Sequence, residues 1–230
     1  PSAKATDFVP TYFGEALFGD NGWDPFVEDP ATLWLTHWFL FSPPSKLPIW
    51  WHAFSNFSAT EFSSEELVDS ATGQIAQIAD WKSPAKGSIQ RDVITFLATY
   101  GPHNKIKSGL DDRVDSPLRQ LHLLNRSATT AKYRFSNGLP SSLKPEIGTA
   151  IVLDYIDRVA PDRGTITFGH LATEPGAPGK ILRLSEAELV ELLGSQISEN
   201  EDLSLASPTG AQQLTWTRKP AEIGITILNA

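Results

Sequence analysis

The fold is decided by residues 29–41, which read DPATLWLTHWFLF. Asp29 can accept hydrogen bonds from the free N–H groups of a first helical turn. Pro30 suits the first helical position, because a backbone N–H at that position has no partner within the helix and its absence in proline therefore costs nothing. After this start the segment is polar only at Thr32, Thr36 and His37. Since a helix that is apolar on nearly every side is a buried one, the sequence predicts a mainly helical protein built around a core rich in Trp and Phe.

Further helix starts appear along the chain. Ser63 with Glu66, and Ser185 with Glu188, have the spacing of a capping box. Ser88 is predicted to cap a helix whose apolar face runs to residue 100. Two more starts are predicted at Ser116-Pro117, for a short helix to residue 124, and at Pro145, for a helix to about residue 159.

Strand-like alternation marks residues 131–136, 203–206 and 213–217. In the first of these runs, Lys132 and Arg134 are predicted to lie on the face opposite Tyr133 and Phe135. In both halves of the chain a helix, a short helix and strands follow one another, which is the order of a helix-turn-helix with a β-wing. We therefore predict an α+β fold, mainly α with small β-wings, containing tandem helix-turn-helix or winged-helix-like units. The predicted domains are residues 1–144, with a basic helix-turn-helix-like part at about 82–144, and an acidic winged-helix-like unit at 145–230.

The formal net charge of −8 is distributed unevenly. Residues 82–144 carry eleven Lys and Arg against four Asp and Glu, whereas the segments before and after have net charges of −9 and −6. Such a basic segment can neutralise DNA phosphates, or it can dock on an acidic surface of the same chain or of a partner. The residues that we predict to contact DNA are Arg91, Lys105, Lys107, Arg113, Arg119, Arg126, Lys132 and Arg134.

The second winged-helix-like unit differs in charge. Its predicted recognition helix carries Glu186, Glu188 and Glu191 and no basic residue. Because these carboxylates would repel phosphates, this helix favours a protein partner or a second subunit over DNA.

Several kinds of chemistry are excluded by residue type or spacing. The chain has no cysteine, which rules out disulfides, thiolate zinc or iron–sulfur ligation and a cysteine nucleophile. Gly179-Lys180 lacks the remaining residues of a phosphate-binding loop, so no nucleotide is expected. His37 and His52 lie in Trp-rich segments and are predicted to be core histidines.

Carboxylates are the remaining candidates for a reactive site. Metal-dependent cleavage of a phosphodiester needs acidic oxygens that converge on a divalent cation. We predict Asp24, Glu28 and Asp29 as catalytic residues, with Asp24 and Glu28 binding Mg²⁺ or Mn²⁺. The structural alternative is a turn at Asp24 and a helix cap at Asp29. A weaker group, Asp69 with residues 80–82, has nuclease-like spacing but falls on predicted helix.

Residues 22–38, GWDPFVEDPATLWLTHW, resemble a distinctive block of the SspB family. This family comprises the DNA-nicking components of bacterial SspABCD systems for DNA phosphorothioation and phage defence. The resemblance continues, in order, through segments at residues 50–54, 61–63, 91–97, 115–118, 133–135 and 175–184.

The resemblance implies a cytoplasmic protein that nicks one DNA strand, so that sulfur can replace a non-bridging oxygen of the backbone. It implies DNA as a partner, together with an ATPase and sulfur-transfer components, and it leaves a homodimer open. The alternative is a non-catalytic DNA-binding or scaffold subunit of the same complex. Family members also have a longer N-terminal segment, and the absence of Met even at position 1 leads us to expect a piece of a longer protein.

No membrane association is expected. The most apolar stretch, residues 33–54, is interrupted by His37, Lys46 and several prolines, and its continuous apolar pieces are too short to cross a bilayer.

Overall fold

The computed structural model describes residues 12–19, 22–42, 45–75, 84–102, 116–208 and 210–229. Three of the predicted DNA contacts, Lys105, Lys107 and Arg113, lie outside the described residues, and so does the segment 80–82. Within these ranges the fold mixes helices with two small antiparallel sheets. This confirms the prediction of a mainly helical chain with small β elements.

The first part of the chain consists of helices followed by a β-hairpin. Its elements are α1 (Tyr12–Phe18), α2 (Pro30–Phe41), α3 (Pro48–Ser55), α4 (Ser64–Ile75), α5 (Lys86–Tyr100), a 3-10 helix (Pro117–Leu121), β1 (Leu124–Arg126) and β2 (Tyr133–Phe135). In the hairpin β1 and β2 run antiparallel, with Asn125 opposite Arg134. On the other side of β2, Tyr133 pairs with Phe62, and the two residues exchange backbone hydrogen bonds of 2.8 and 2.9 Å. The hairpin is thereby fastened to the segment that leads into α4.

The second part contains more helices and a three-stranded sheet. Its elements are α6 (Pro145–Val159), β3 (Thr165–Thr167), α7 (Phe168–Thr173), α8 (Pro178–Leu182), α9 (Glu186–Glu199), β4 (Leu203–Ala206), β5 (Gln213–Trp216) and α10 (Pro220–Leu228). The strand order is β3-β5-β4, with every pair antiparallel. The last strand therefore lies between the other two, and α10 returns to pack on α6.

Local capping explains where three of the helices begin. Asp29 caps α2 by accepting the N–H of Ala31 at 2.8 Å. Ser63 and Glu66 bond each other's backbone N–H at the start of α4, and Ser185 and Glu188 form the same capping box at α9. These three predicted starts are confirmed.

Two predicted boundaries were wrong. Helix α5 begins at Lys86 after Ala85, so Ser88 lies inside the helix rather than at its cap. The short helix at Pro117 ends at Leu121, because the next residue, His122, adopts a left-handed conformation with φ of 52° that stops the helix.

The hydrophobic core runs through both parts of the chain. Helix α2 contributes Trp34, Trp38 and Phe41, each at most 1% exposed. These side chains belong to one continuous cluster of buried residues that also includes Ile223, near the other end of the chain. Polar bonds also connect the two parts: the indole N–H of Trp38 donates to Asp154 Oδ2 at 2.7 Å. Segments 1–144 and 145–230 thus share one core.

No helix within the described ranges combines the length and the apolar character that crossing a bilayer requires.

Candidate nucleic-acid interface

The predicted catalytic carboxylates lie in the turn that leads into α2. Both carboxylate oxygens of Asp24 accept backbone N–H groups: Oδ1 from Glu28 at 3.0 Å and Oδ2 from Asp29 at 2.9 Å. These bonds, that from Glu28 foremost, lower the pKa of Asp24 from its ordinary value. Val27, which lies between Asp24 and Glu28 in the sequence, adopts a φ of 57°, and this is unusual for a β-branched residue. Asp24 therefore holds a tight turn, and Asp29 caps the helix that follows.

Metal-ligand geometry is not seen at this turn. In the ranges that the structure describes, no three His, Asp or Glu side chains come together as a possible metal site, and Asp24, Glu28 and Asp29 are among the residues searched. In the weaker group, Asp69 forms an exposed ion pair of 3.6 Å with Lys86. These residues do not fit a site with three protein ligands, and the role of Asp24 and Glu28 in binding metal stays a prediction.

The predicted DNA-contacting cations that the structure describes have different surroundings. Arg119 is half-buried and donates to the carbonyl oxygens of Gly101 (2.7 Å) and Ala98 (2.6 Å) at the end of α5. Arg91 is exposed and bonds within its own helix, to Gly87 O at 3.2 Å. Arg119 therefore caps a helix C-terminus, where a cation is favourable, while Arg91 stays on the surface of α5.

The other three cations lie on the β1–β2 hairpin. The guanidinium of Arg126 lies over the ring of Tyr133, 5.5 Å from its centroid. Lys132 forms an ion pair of 3.2 Å with Glu66. Arg134 is exposed, and within the described part of the chain its side chain has neither a hydrogen bond nor an ion pair. Phe135 beside it is buried, which confirms the predicted alternation of faces at Arg134 and Phe135.

A fourth cation, Arg183, reaches the hairpin from the second part of the chain. Its guanidinium carbon lies 4.4 Å from the centroid of the Phe135 ring. The sequence analysis missed Arg183 because it lies in a net acidic segment, and its approach to Phe135 depends on packing between elements that are distant in the chain. No local pattern signals that approach.

The hairpin surface has no carboxylate of its own. Residues 116–144 include five Lys and Arg and no Asp or Glu. Among the described residues, Glu66 reaches this surface, and its pKa is lowered by the Ser63 N–H and by Lys132. Glu188 Oε1 also lies near it, 3.7 Å from the position that a Cβ on Gly138 would take. A surface with this charge attracts anions such as phosphate groups.

The two predicted core histidines are confirmed as buried. His37 is 0% exposed and lies within hydrogen-bond distance of Tyr100 Oη (2.8 Å) and Ile181 O (2.9 Å). His52 is 5% exposed, and its Nε2 lies 2.9 Å from Ser70 Oγ. Both lie where helices pack against one another.

A family described as a protein of unknown function, DUF4007, matches residues 2–230. The chain belongs to this family. Two solved structures resemble this DUF4007 chain closely: a crystal structure of SspB, with a TM-score of 0.88, and a crystal structure of magnesium ion-bound SspB, with a TM-score of 0.89. In both comparisons the sequences are 29% identical, over 96% of this chain and 65% of the SspB chain.

The resemblance of this DUF4007 member to the SspB family, inferred from residues 22–38 and the segments after them, is thereby confirmed. The chain spans about two thirds of the length of the SspB chains that it matches. No curated protein matches it significantly. The magnesium ion of the second SspB structure is consistent with a divalent cation in the family.

Proposed function

We propose that this chain is the DNA-nicking component of a bacterial DNA phosphorothioation and phage-defence system. It would act in the cytoplasm with a divalent cation, beside an ATPase and sulfur-transfer proteins. The similarity to SspB over 96% of the chain supports this assignment, and one of those SspB structures binds magnesium.

The observation that carries the proposal is the cationic hairpin surface. Arg134 points away from the core on a hairpin without acidic residues, and Arg126 and Lys132 lie on the same two-stranded element. DNA phosphates would replace the counterions of this surface, so binding would weaken steeply as salt is added.

A second candidate function is a non-catalytic DNA-binding subunit that positions partner enzymes. It is favoured by the turn at Asp24, whose two carboxylate oxygens are engaged by backbone N–H groups. It is also favoured by the absence of a three-ligand metal group within the described ranges. In this case cleavage would belong to another segment of the full protein or to a partner.

The second part of the chain supports a winged-helix-like unit within either proposal. A helix, a strand and further helices precede the pair β4–β5, and β5 inserts between β3 and β4. The acidic start of α9, with the exposed Glu186 and the half-buried Glu188, suits a protein partner better than DNA.

The test is relaxation of supercoiled plasmid by the purified chain, with Mg²⁺ or Mn²⁺ and with a chelator as control. If the chain nicks DNA, open circles should form with the metal ion and should not form when chelator is present. The double variant Asp24→Asn, Glu28→Gln should form no open circles if these residues bind the metal. Binding without cleavage would replace the nickase by the scaffold function. If the chain neither bound nor cleaved DNA, both proposed functions would be contradicted.

The hairpin is tested separately by Arg134→Gln. We expect the slope of log K against log salt to fall by about 0.9, since one phosphate contact is lost. Arg218→Gln is the matched control, because Arg218 is held by Asp202 at 2.7 Å and lies on the second part of the chain. An equal change of this slope in both variants would show that the DNA-binding surface does not lie on the hairpin.

A further inference from the structure

The exposed aromatic side chains of the described residues are concentrated in one short stretch. Phe18 is 53% exposed, Trp23 is 49% exposed and Phe26 is 83% exposed. The other large apolar side chains that are exposed within the described ranges are aliphatic and lie far apart in the chain, at Ile94, Val159, Leu205 and Ile225. Single apolar side chains are ordinary on a protein surface, whereas several aromatic side chains close together indicate an interaction site.

The backbone brings the aromatic residues close to one another. The Asp24 N–H donates to Leu17 O at 3.3 Å, so the turn that carries Trp23 lies against the end of α1 that carries Phe18. Leu17 is 1% exposed, and both carboxylate oxygens of Asp24 accept backbone N–H groups from the residues that follow. We call Phe18, Trp23 and Phe26 the aromatic patch. Because its backbone is held in place before any partner binds, little ordering is needed on binding.

The exposure of Phe26 is a consequence of how the turn is built. Its neighbour Val27 is half-buried and packs against the core, and it has the left-handed φ of 57°. A β-branched residue adopts this conformation at a cost, and such strain is concentrated at functional sites. The turn thus keeps Val27 in contact with the core and leaves the ring of Phe26 in solvent.

The aromatic patch lies in an acidic part of the chain. Residues 12–42 contain five Asp and Glu and no Lys or Arg, and Glu15, Glu28 and Asp29 are exposed. These carboxylates repel DNA phosphates and attract cations. The aromatic patch therefore suits a cationic protein surface rather than DNA.

The β1–β2 hairpin of the chain has the complementary character. Residues 116–144 include five Lys and Arg and no Asp or Glu, and the exposed Arg134 has neither a hydrogen bond nor an ion pair within the described part of the chain. Guanidinium groups stack on aromatic rings, as Arg126 does on Tyr133 in this hairpin. Since Phe26 and Arg134 are both exposed, the aromatic patch and the hairpin do not cover each other within one chain.

We propose that the aromatic patch of one copy docks on the β1–β2 hairpin of a second copy, with Arg134 against the aromatic rings and near the carboxylates beside them. The contact joins two different surfaces. It is therefore either made twice in a closed pair or repeated along a longer assembly.

The first test is sedimentation equilibrium of the purified full chain without DNA. We expect the average mass to rise between about 1 µM and about 1 mM protein, the range in which weak protein contacts form. The rise should be smaller when salt is increased from about 50 to about 500 mM, because salt screens exposed charges. A mass that stays at 25.2 kDa at every concentration would overturn the proposal.

The second test uses one substitution on each surface. Phe26→Ser and Arg134→Glu should each raise the Kd of self-association about tenfold or more. An equimolar mixture of the two variants should associate more tightly than either variant alone, because the aromatic patch of the Arg134→Glu variant and the hairpin of the Phe26→Ser variant are both intact. The matched controls Ile94→Ser and Arg163→Glu, which replace exposed side chains elsewhere, should leave the Kd unchanged.

Three results in the variants would contradict the proposal. Self-association that persists in Arg134→Glu would mean that two aromatic patches bind each other. Self-association that persists in Phe26→Ser would place the contact elsewhere, and a mixture no tighter than its components would show that the two surfaces do not meet. A circular dichroism melt shows whether each variant is folded, and the sedimentation of the wild-type chain needs no variant.

The inference can be separated from the proposed function in DNA, because no DNA is present in these measurements. The two proposals place different ligands on the same hairpin, so DNA and a second copy would compete for Arg134. If the wild type binds DNA and stays monomeric without it, the docking contact alone is wrong. If the wild type associates as expected and does not bind DNA, the docking contact stands and the proposed function fails.

Discussion

His37 lies at the centre of the core, between Tyr100 of α5 and Ile181 of α8. Burial lowers its pKa from 6.5 to about 4, because the charged imidazolium would lose its hydration there. The folded protein keeps His37 neutral over a pH range in which the unfolded chain takes up a proton. Stability that is present above pH 6.5 is therefore lost as the pH falls towards 4.

We expect the free energy of unfolding to fall by about 2 kcal/mol between about pH 7 and pH 5 through His37. Urea denaturation at both pH values measures the fall, and His37→Gln should remove most of it. Should that variant fail to fold, NMR titration of the wild-type imidazole decides the matter. A His37 that protonates near its ordinary pKa would contradict the prediction.

Asp24 gives a pH dependence of the same direction at lower pH. Its lowered pKa means that the folded state favours the carboxylate, so its contribution to stability is present above about pH 4 and disappears as the pH falls further. Asp24→Asn should therefore destabilise the protein at neutral pH and differ less from the wild type at pH 3. Glu28→Gln is the control, and an equal effect of both substitutions in denaturation experiments would show that the turn does not depend on Asp24.

At the scale of elements, α6 and α9 cross so closely that glycine is needed. A Cβ on Gly148 would lie 2.7 Å from Leu192 Cγ, whereas one on Gly194 of α9 would meet nothing within 4 Å. Gly148→Ala should cost about 1–3 kcal/mol of stability through overpacking. Gly194→Ala should add about 0.5–1 kcal/mol, because alanine suits a helix better. Thermal melts of the two variants measure this difference, and equal shifts would argue against the close crossing.

The elements also show what the sequence could predict. The starts of α2, α4 and α9 are encoded locally, by Asp29 and by two capping boxes, and they were predicted. The same local reasoning allowed a structural role for Asp24. It could not find the pairing of Tyr133 with Phe62, since that bond joins residues far apart in the chain.

The candidate site was predictable in charge and not in arrangement. The basic segment was visible in the composition, and the outward position of Arg134 followed from the alternation of residues 131–136. That Arg119 would cap α5, that Lys132 would pair with Glu66 and that Arg183 would lie over Phe135 all depend on tertiary contacts. Such contacts are set by packing, which a single sequence does not show.

At the scale of the whole molecule, the two parts are joined by hydrogen bonds whose loss would destabilise both parts. His37 meets the carbonyl oxygen of Ile181, Trp38 donates to Asp154, and Ser55 Oγ accepts the Gly176 N–H at 3.2 Å. Each of these groups is buried or half-buried. Separation of residues 1–144 from 145–230 would leave them without partners and expose the apolar face of α2, so neither part is expected to be stable alone.

The full chain should therefore unfold in one cooperative step. Six of the seven tryptophans precede residue 145, so fluorescence reports mainly on the first part, whereas far-ultraviolet circular dichroism reports on the helices of both. We expect the two signals to give the same midpoint in urea, as in a two-state transition. Asp154→Ala, which removes the acceptor of the Trp38 indole, should lower both midpoints together. If fluorescence and circular dichroism separate, or if only one shifts in the variant, the parts fold independently, and the contact of Arg183 with the hairpin would belong to a mobile interface.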